Sequence, residues 1–136
     1  MVTYVYESPA VIESVAGVVA WAETATFAHP ELPPPCINVV LVCLQELVGN
    51  IALYARRCDG PPIVKIGLRI ESHGVALSIE DNGQAFDPLR EVPGVIDTDL
   101  ASAGAGGRGV RIVRELVCSM IYNRVGEWNR VTLEIA

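Results

Sequence analysis

The sequence predicts an α+β fold, a two-layer sandwich in which a mostly antiparallel sheet is covered on one face by three helices. Three observations predict it. Five segments are rich in β-formers or alternate apolar and polar residues, and three others read as helices, two long and apolar and one short and amphipathic. The later strands are joined in pairs by turns too short for the helical crossover that a parallel neighbour needs. The 136 residues suit one domain, 1–136, and at 51% hydrophobic and 19% charged they can fill a core.

Thr3–Tyr6 reads as the first strand. Ser8-Pro9 then carries helix-start chemistry, a hydroxyl at the N-cap and Pro at the first helical position. A helix is expected from Ala10 to about Ala28, ended by His29-Pro30 and by a Pro33–Pro35 connector. A second helix is expected from about Ile37 to Arg57. On a wheel of about 100° per residue, Leu44, Val48, Ile51 and Ala55 cluster on one side, and Glu46 with Asn50 lies nearly opposite. Ile63–Glu71 and Val75–Glu80 form a hairpin. Asn82–Gly107 has no sustained period, and its Gly-rich end feeds a short amphipathic helix, Val110–Val117. Met120–Val125 and Trp128–Ile135 close the chain as a second hairpin.

A net charge of −6 weighs against nucleic-acid backbones, which need clustered Lys and Arg. The N-terminus lacks the pattern of a signal peptide. The apolar stretches Val11–Ala22 and Ile37–Leu44 fall short of the roughly 18–20 residues that span a bilayer, so a cytoplasmic protein is expected. Cys36, Cys43, Cys58 and Cys118 form no C-x-x-C pair and read as reduced thiols packed as small apolar residues, not as zinc ligands.

Three features carry chemistry. Glu46 and Asn50 put a carboxylate and an amide oxygen one helical turn apart, suited to a general base and a hard-cation ligand. Asp81-Asn82-Gly83 ends a strand. The Gly104–Gly109 run feeds a helix N-terminus, where free N–H groups favour an anion such as phosphate. Each alone has a plain structural reading: a solvated helix face, a turn, a linker.

In this order and spacing the three resemble the boxes of the GHKL ATPases, the histidine-kinase-like ATP-binding (Bergerat) fold. Glu46–Ala55 resembles the N box, Asp81–Leu89 the first glycine box, and Gly106–Val113 the second. Glu46 at the head of the N box, the Phe86-Asp87-Pro88 continuation and the Arg124–Leu133 hairpin are most similar to the anti-sigma factor serine kinases. The resemblance implies ATP and Mg²⁺. It implies Glu46 as general base, Asn50 as the Mg²⁺ ligand, Asp81 as acceptor for the adenine amine, and Gly83 beside the base. Ala85, Phe86, Gly106, Gly107, Arg108, Gly109, Val110 and Thr132 join Asn50 as nucleotide-binding positions, and Asp87–Gly106 would be the lid.

Two departures stand out. Ala85 replaces a common Gly, at a cost of about 1 kcal/mol if φ is positive there. Leu53 replaces a phosphate-binding Lys of some histidine kinases, and Arg108, Arg111 or Arg114 is the candidate substitute, with a solvated or ion-paired role as the alternative.

The function implied is ATP-dependent serine/threonine phosphorylation of a STAS-type anti-sigma factor antagonist in a partner-switching system. A sigma factor and a second copy of the chain are further expected partners, and neither nucleic acid nor membrane is. An ATP-binding interaction module with little or no phosphotransfer is the other reading. A detached histidine-kinase catalytic domain is disfavoured by Glu46 and by the absence of a helical hairpin bearing a phospho-acceptor His.

Overall fold

A computed structural model of the chain describes residues 1–90 and 100–136, with the backbone alone described over 100–107. The strands are β1 (Val2–Pro9), β2 (Ile63–Glu71), β3 (Gly74–Asp81), β4 (Ser119–Val125) and β5 (Trp128–Ile135). They form one sheet in the order β1-β2-β3-β5-β4, with every neighbouring pair antiparallel. The helices are α1 (Val15–Phe27), α2 (Pro34–Tyr54) and α3 (Leu100–Leu116). The α+β class holds, and the described pairs are antiparallel throughout.

The two-residue period decides which sheet face is covered. Val64, Ile66, Leu68 and Ile70 of β2, Leu77 and Ile79 of β3, and Val131, Leu133 and Ile135 of β5 are buried. They pack with Val18 and Ala22 of α1, Val40, Leu44 and Val48 of α2, and Val110 and Val113 of α3 in one core. The residues between them face the other way and include charged cross-strand neighbours. Arg130 bonds Glu80 at 3.2 Å, and the Lys65 ammonium lies 4.3 Å from the Trp128 ring centre. α2 lies between α1 and α3 and contributes most helical residues to the core. Cys36 and Cys43 are buried there, and burial pushes the Cys43 thiol up to about 12. Cys58 and Cys118 are exposed.

Several boundaries differ from expectation for physical reasons. Ser8 and Pro9 do not start a helix. β1 continues through them to pair Pro9 with Ile63, and Ser8 Oγ donates to the Pro9 carbonyl at 3.1 Å. Pro9 lies on an edge strand, where its missing N–H costs nothing. The chain then makes a 3-10 turn, Ile12–Ser14, before α1. α2 begins at Pro34, with prolines in its first turn where no N–H is needed. With 21 residues and a mean hydropathy of 1.9, it is long and apolar enough to cross a membrane, unlike the stretches weighed from sequence, but it is a core helix of this fold.

The largest boundary difference is α3, which starts at Leu100 rather than Val110. The run is Ala-Gly alternating, and Ala offsets part of the roughly 1 kcal/mol that each interior Gly costs. In this conformation Gly106–Gly109 therefore lie inside the helix, and their N–H groups belong to its ladder rather than to a helix start. Of the expected lid, Asp87–Gly106, residues 91–99 lie outside the described residues, and 100–106 form the start of α3.

Gly74 opens β3 at φ +154°, and a Cβ there would overlap the Ile135 carbonyl oxygen and lie 3.0 Å from Ala136 Cα. Gly74→Ala should destabilise the fold by about 1–3 kcal/mol, read as a lower urea midpoint at unchanged slope. An unchanged midpoint would show that the β3–β5 end relaxes freely.

Candidate functional site

α2 positions one wall of the site. It ends at Tyr54 because Ala55 turns extended, at φ −71° and ψ 144°. That places Ala55–Arg57 beside the turn that follows β3. Gln84 ties the two segments together: its Oε1 accepts from Arg56 N at 2.6 Å, and its own N–H donates to the Arg56 carbonyl at 3.2 Å. Asn82 Oδ1 accepts from Ile63 N at 2.7 Å, and the Arg57 guanidinium donates to the Asn82 carbonyl at 2.8 Å. Gly83 is needed for this approach, since a Cβ would lie 3.0 Å from both Ala55 Cβ and Asp81 Oδ1.

Asp81 is the buried acid of the site, 6% exposed at the end of β3. Its Oδ1 accepts from Gly83 N at 2.9 Å and from Asn129 Nδ2 at 3.1 Å. Among the described residues Oδ2 accepts nothing, yet it is not sealed away as a buried unpaired atom. Desolvation raises the Asp81 pKa, opposed by those two hydrogen bonds and by the nearby Arg124 charge. Arg124 also donates to the Gly83 carbonyl at 2.9 Å.

Ala85 is exposed, and no non-glycine residue described has a positive φ, so its methyl carries no backbone strain. Phe86 is 48% exposed, and its N–H donates to Asn129 Oδ1 at 3.1 Å. Asp87 caps the helical turn 88–90, accepting from Leu89 N at 2.9 Å, with Pro88 at the first helical position.

Glu46 and Asn50 are both half-buried on α2. They do not lie on a bare solvated face. Gly109 of α3 packs directly on Glu46, and a Cβ at 109 would overlap Glu46 Oε2 and lie 3.2 Å from Cδ. α2 thus joins the three expected boxes: its C-terminal end meets the Asp81–Gly83 turn and its middle meets α3. Val110 is buried in the core at 2% exposure, whereas Arg108, Arg111 and Arg114 are exposed on the far side of α3. Gly106 and Gly107 lie in the helical stretch whose backbone alone is described.

Thr132 is not brought to the site. It pairs with Ser78 and Ile121, and the alternation of β5 points it to the sheet face away from the helices. Asn129, three residues earlier, occupies the position beside Asp81 instead. The sequence reading missed it, although Asn129 is in phase with Val131, Leu133 and Ile135, and a polar residue in an apolar phase is a signal.

The comparisons with known proteins agree with this geometry. A family model described as a histidine kinase-like ATPase domain matches residues 8–135. The serine/threonine-protein kinase BtrW of Bordetella bronchiseptica is 33% identical over 92 residues, a match covering 68% of this chain and 65% of that relative's length. With a five-stranded antiparallel sheet, helices on one face and a family match over nearly its whole length, the chain belongs to the histidine kinase-like ATPase domain family.

Proposed function

We propose that this chain is an ATP-dependent serine/threonine protein kinase of the anti-sigma factor type, acting on a STAS-type antagonist in a partner-switching system. The observation that carries the reading is the double contact of α2. Glu46 meets Gly109 of α3, and Ala55 meets Gly83. Nine residues at 1.5 Å each put these contacts roughly 13 Å apart, comparable with an extended nucleoside triphosphate. A base held at Asp81 would thus have its terminal phosphate near Glu46. The name of the 33%-identical relative supports kinase activity in particular.

The roles follow from the donor set. Asp81 Oδ2 is an acceptor-only atom, suited to the exocyclic amine of adenine. Phe86 lies exposed beside the turn, as an apolar surface for the base. Among the described residues no group of three or more His, Cys, Asp and Glu forms a metal cage. A Mg²⁺ site here fits the other common type, a single hard side-chain oxygen completed by phosphates and water, and Asn50 would supply that oxygen. Mg²⁺ when bound would neutralise charge on the phosphates. Glu46 takes the proton from the partner's seryl or threonyl hydroxyl as that oxygen attacks the γ-phosphorus and ADP leaves.

The purified chain, incubated with Mg-ATP and a recombinant STAS-domain protein from the same genome, should yield phosphoserine or phosphothreonine on the partner by mass spectrometry. ATP binding without any transfer would replace this reading with that of an ATP-binding interaction module.

A further inference from the structure

Asn129 has no role in the chemistry above, yet it is 4% exposed and makes four hydrogen bonds. Its amide orientation is dictated by backbone groups, which cannot exchange roles. Phe86 N–H can only donate, so the atom 3.1 Å away is Oδ1. The Gln84 carbonyl can only accept, so the atom 2.8 Å away is Nδ2. The remaining two bonds then follow. Nδ2 donates to Asp81 Oδ1 at 3.1 Å, and Tyr122 Oη donates to Asn129 Oδ1 at 2.6 Å. Both donors and both lone pairs of the side chain are used, so nothing remains to meet a ligand.

We propose that Asn129 is a positioning residue for base recognition: it locks the Asp81 carboxylate and the Gln84–Phe86 backbone into one unit and fastens that unit to Tyr122 on β4. The inference rests on the reading of Asp81 as the base-recognising group. The end of β3, the turn that continues it and β4 all converge on one amide. With Oδ1 holding two donors, the carboxylate cannot rotate without breaking both bonds, and a single oxygen, Oδ2, is presented. A fully satisfied buried network specifies one geometry, whereas a partly satisfied one is costly.

Charge around Asp81 comes from several elements. Arg124 and the Tyr122 phenol approach from β4, and Asp87 lies in the turn close enough to act on Tyr122. From the end of α2 come apolar Ala55 and the guanidinia of Arg56 and Arg57, which are spent on the Ala55 and Asn82 carbonyls and on Asp59. Asn129 is the one side chain among them that donates directly to the carboxylate.

Asn129→Asp tests this at constant shape. The variant still accepts from Phe86 N and Tyr122 Oη, but it cannot donate to Asp81 or Gln84. Two carboxyls would then compete for one proton. ADP affinity, followed by calorimetry from pH 5.5 to 8, should fall tenfold or more at pH 7, and its acid limb should move to higher pH. Tyr122→Phe removes one neutral hydrogen bond and should cost about fivefold in affinity. Wild-type affinity and pH profile in both variants would overturn the proposal. If Asn129→Asp does not fold, Tyr122→Phe decides alone, and unchanged affinity there overturns it. Should the wild-type chain bind no ADP, the functional reading fails separately. The positioning role is then read from the carbon-13 carboxyl titration of Asp81 in the ligand-free protein. A higher midpoint in Asn129→Asp supports it, and an unshifted one overturns it.

Discussion

Glu46→Gln should lower phosphotransfer to the partner by about 10²–10⁴-fold while ADP affinity stays within a few-fold of wild type. Gln has the size of Glu and offers an oxygen in the same place, but it cannot take a proton. Among the described residues the Glu46 side chain makes no hydrogen bond or ion pair, so the exchange strands no partner among them. Its position is set instead by packing, because Gly109 leaves room for the carboxylate and no larger residue would. A loss confined to the chemical step therefore separates a base from a packing residue. Single-turnover transfer and calorimetry on the same preparation make the comparison. A variant that transfers phosphate at the wild-type rate removes Glu46 as the base and leaves the ATP-binding module as the better account.

What could be read from the sequence divides along physical lines. Strand β2 was legible over Ile63–Glu71, because alternation with period two is imposed by burial of one face and needs no other information. The helix start at Ser8-Pro9 was not. Its cap chemistry is local, worth about 1 kcal/mol, and pairing with β2 overrode it. The same limit applies to α3, where Gly-rich composition suggested a loop and the helical ladder extends through it to Leu100. Within the site, the order of the boxes was legible because each depends on a short run of residues. The exchange of Thr132 for Asn129 was not, because it depends on register. Thr132 was placed by likeness of the closing hairpin as a whole, but a strand sorts its residues by parity, and only odd-numbered residues of β5 face Asp81. Ala55 was read as part of an apolar helix face, yet it matters as the point where α2 stops and the chain meets Gly83.

Asp81→Asn should weaken ADP binding and strengthen the fold in the same protein. The amide keeps an oxygen for the Gly83 and Asn129 donors, so the internal bonds survive. At the position of Oδ2 it presents an NH₂ group, and donor then faces donor where adenine's amine would sit. Losing a hydrogen bond to a charged acceptor costs roughly 1.5–3 kcal/mol, or about one to two decades in affinity. Stability moves the other way. Desolvation raises the Asp81 pKa, so between the unfolded value and the raised native one the native state holds more protons than the unfolded chain. The wild-type contribution is then most favourable below the unfolded pKa. It falls as pH rises through that window and stays reduced at neutral pH. Asparagine has no such penalty, so the urea midpoint at pH 7 should rise, and the gain should shrink as pH falls toward about 4. The opposed signs are what a recognition group predicts, because a mostly buried carboxylate whose second oxygen accepts from none of the described residues is maintained for a ligand at the expense of the fold. If ADP affinity is unchanged, Asp81 does not read the base. If the neutral-pH midpoint drops instead, the charge is stabilising and Arg124 outweighs desolvation.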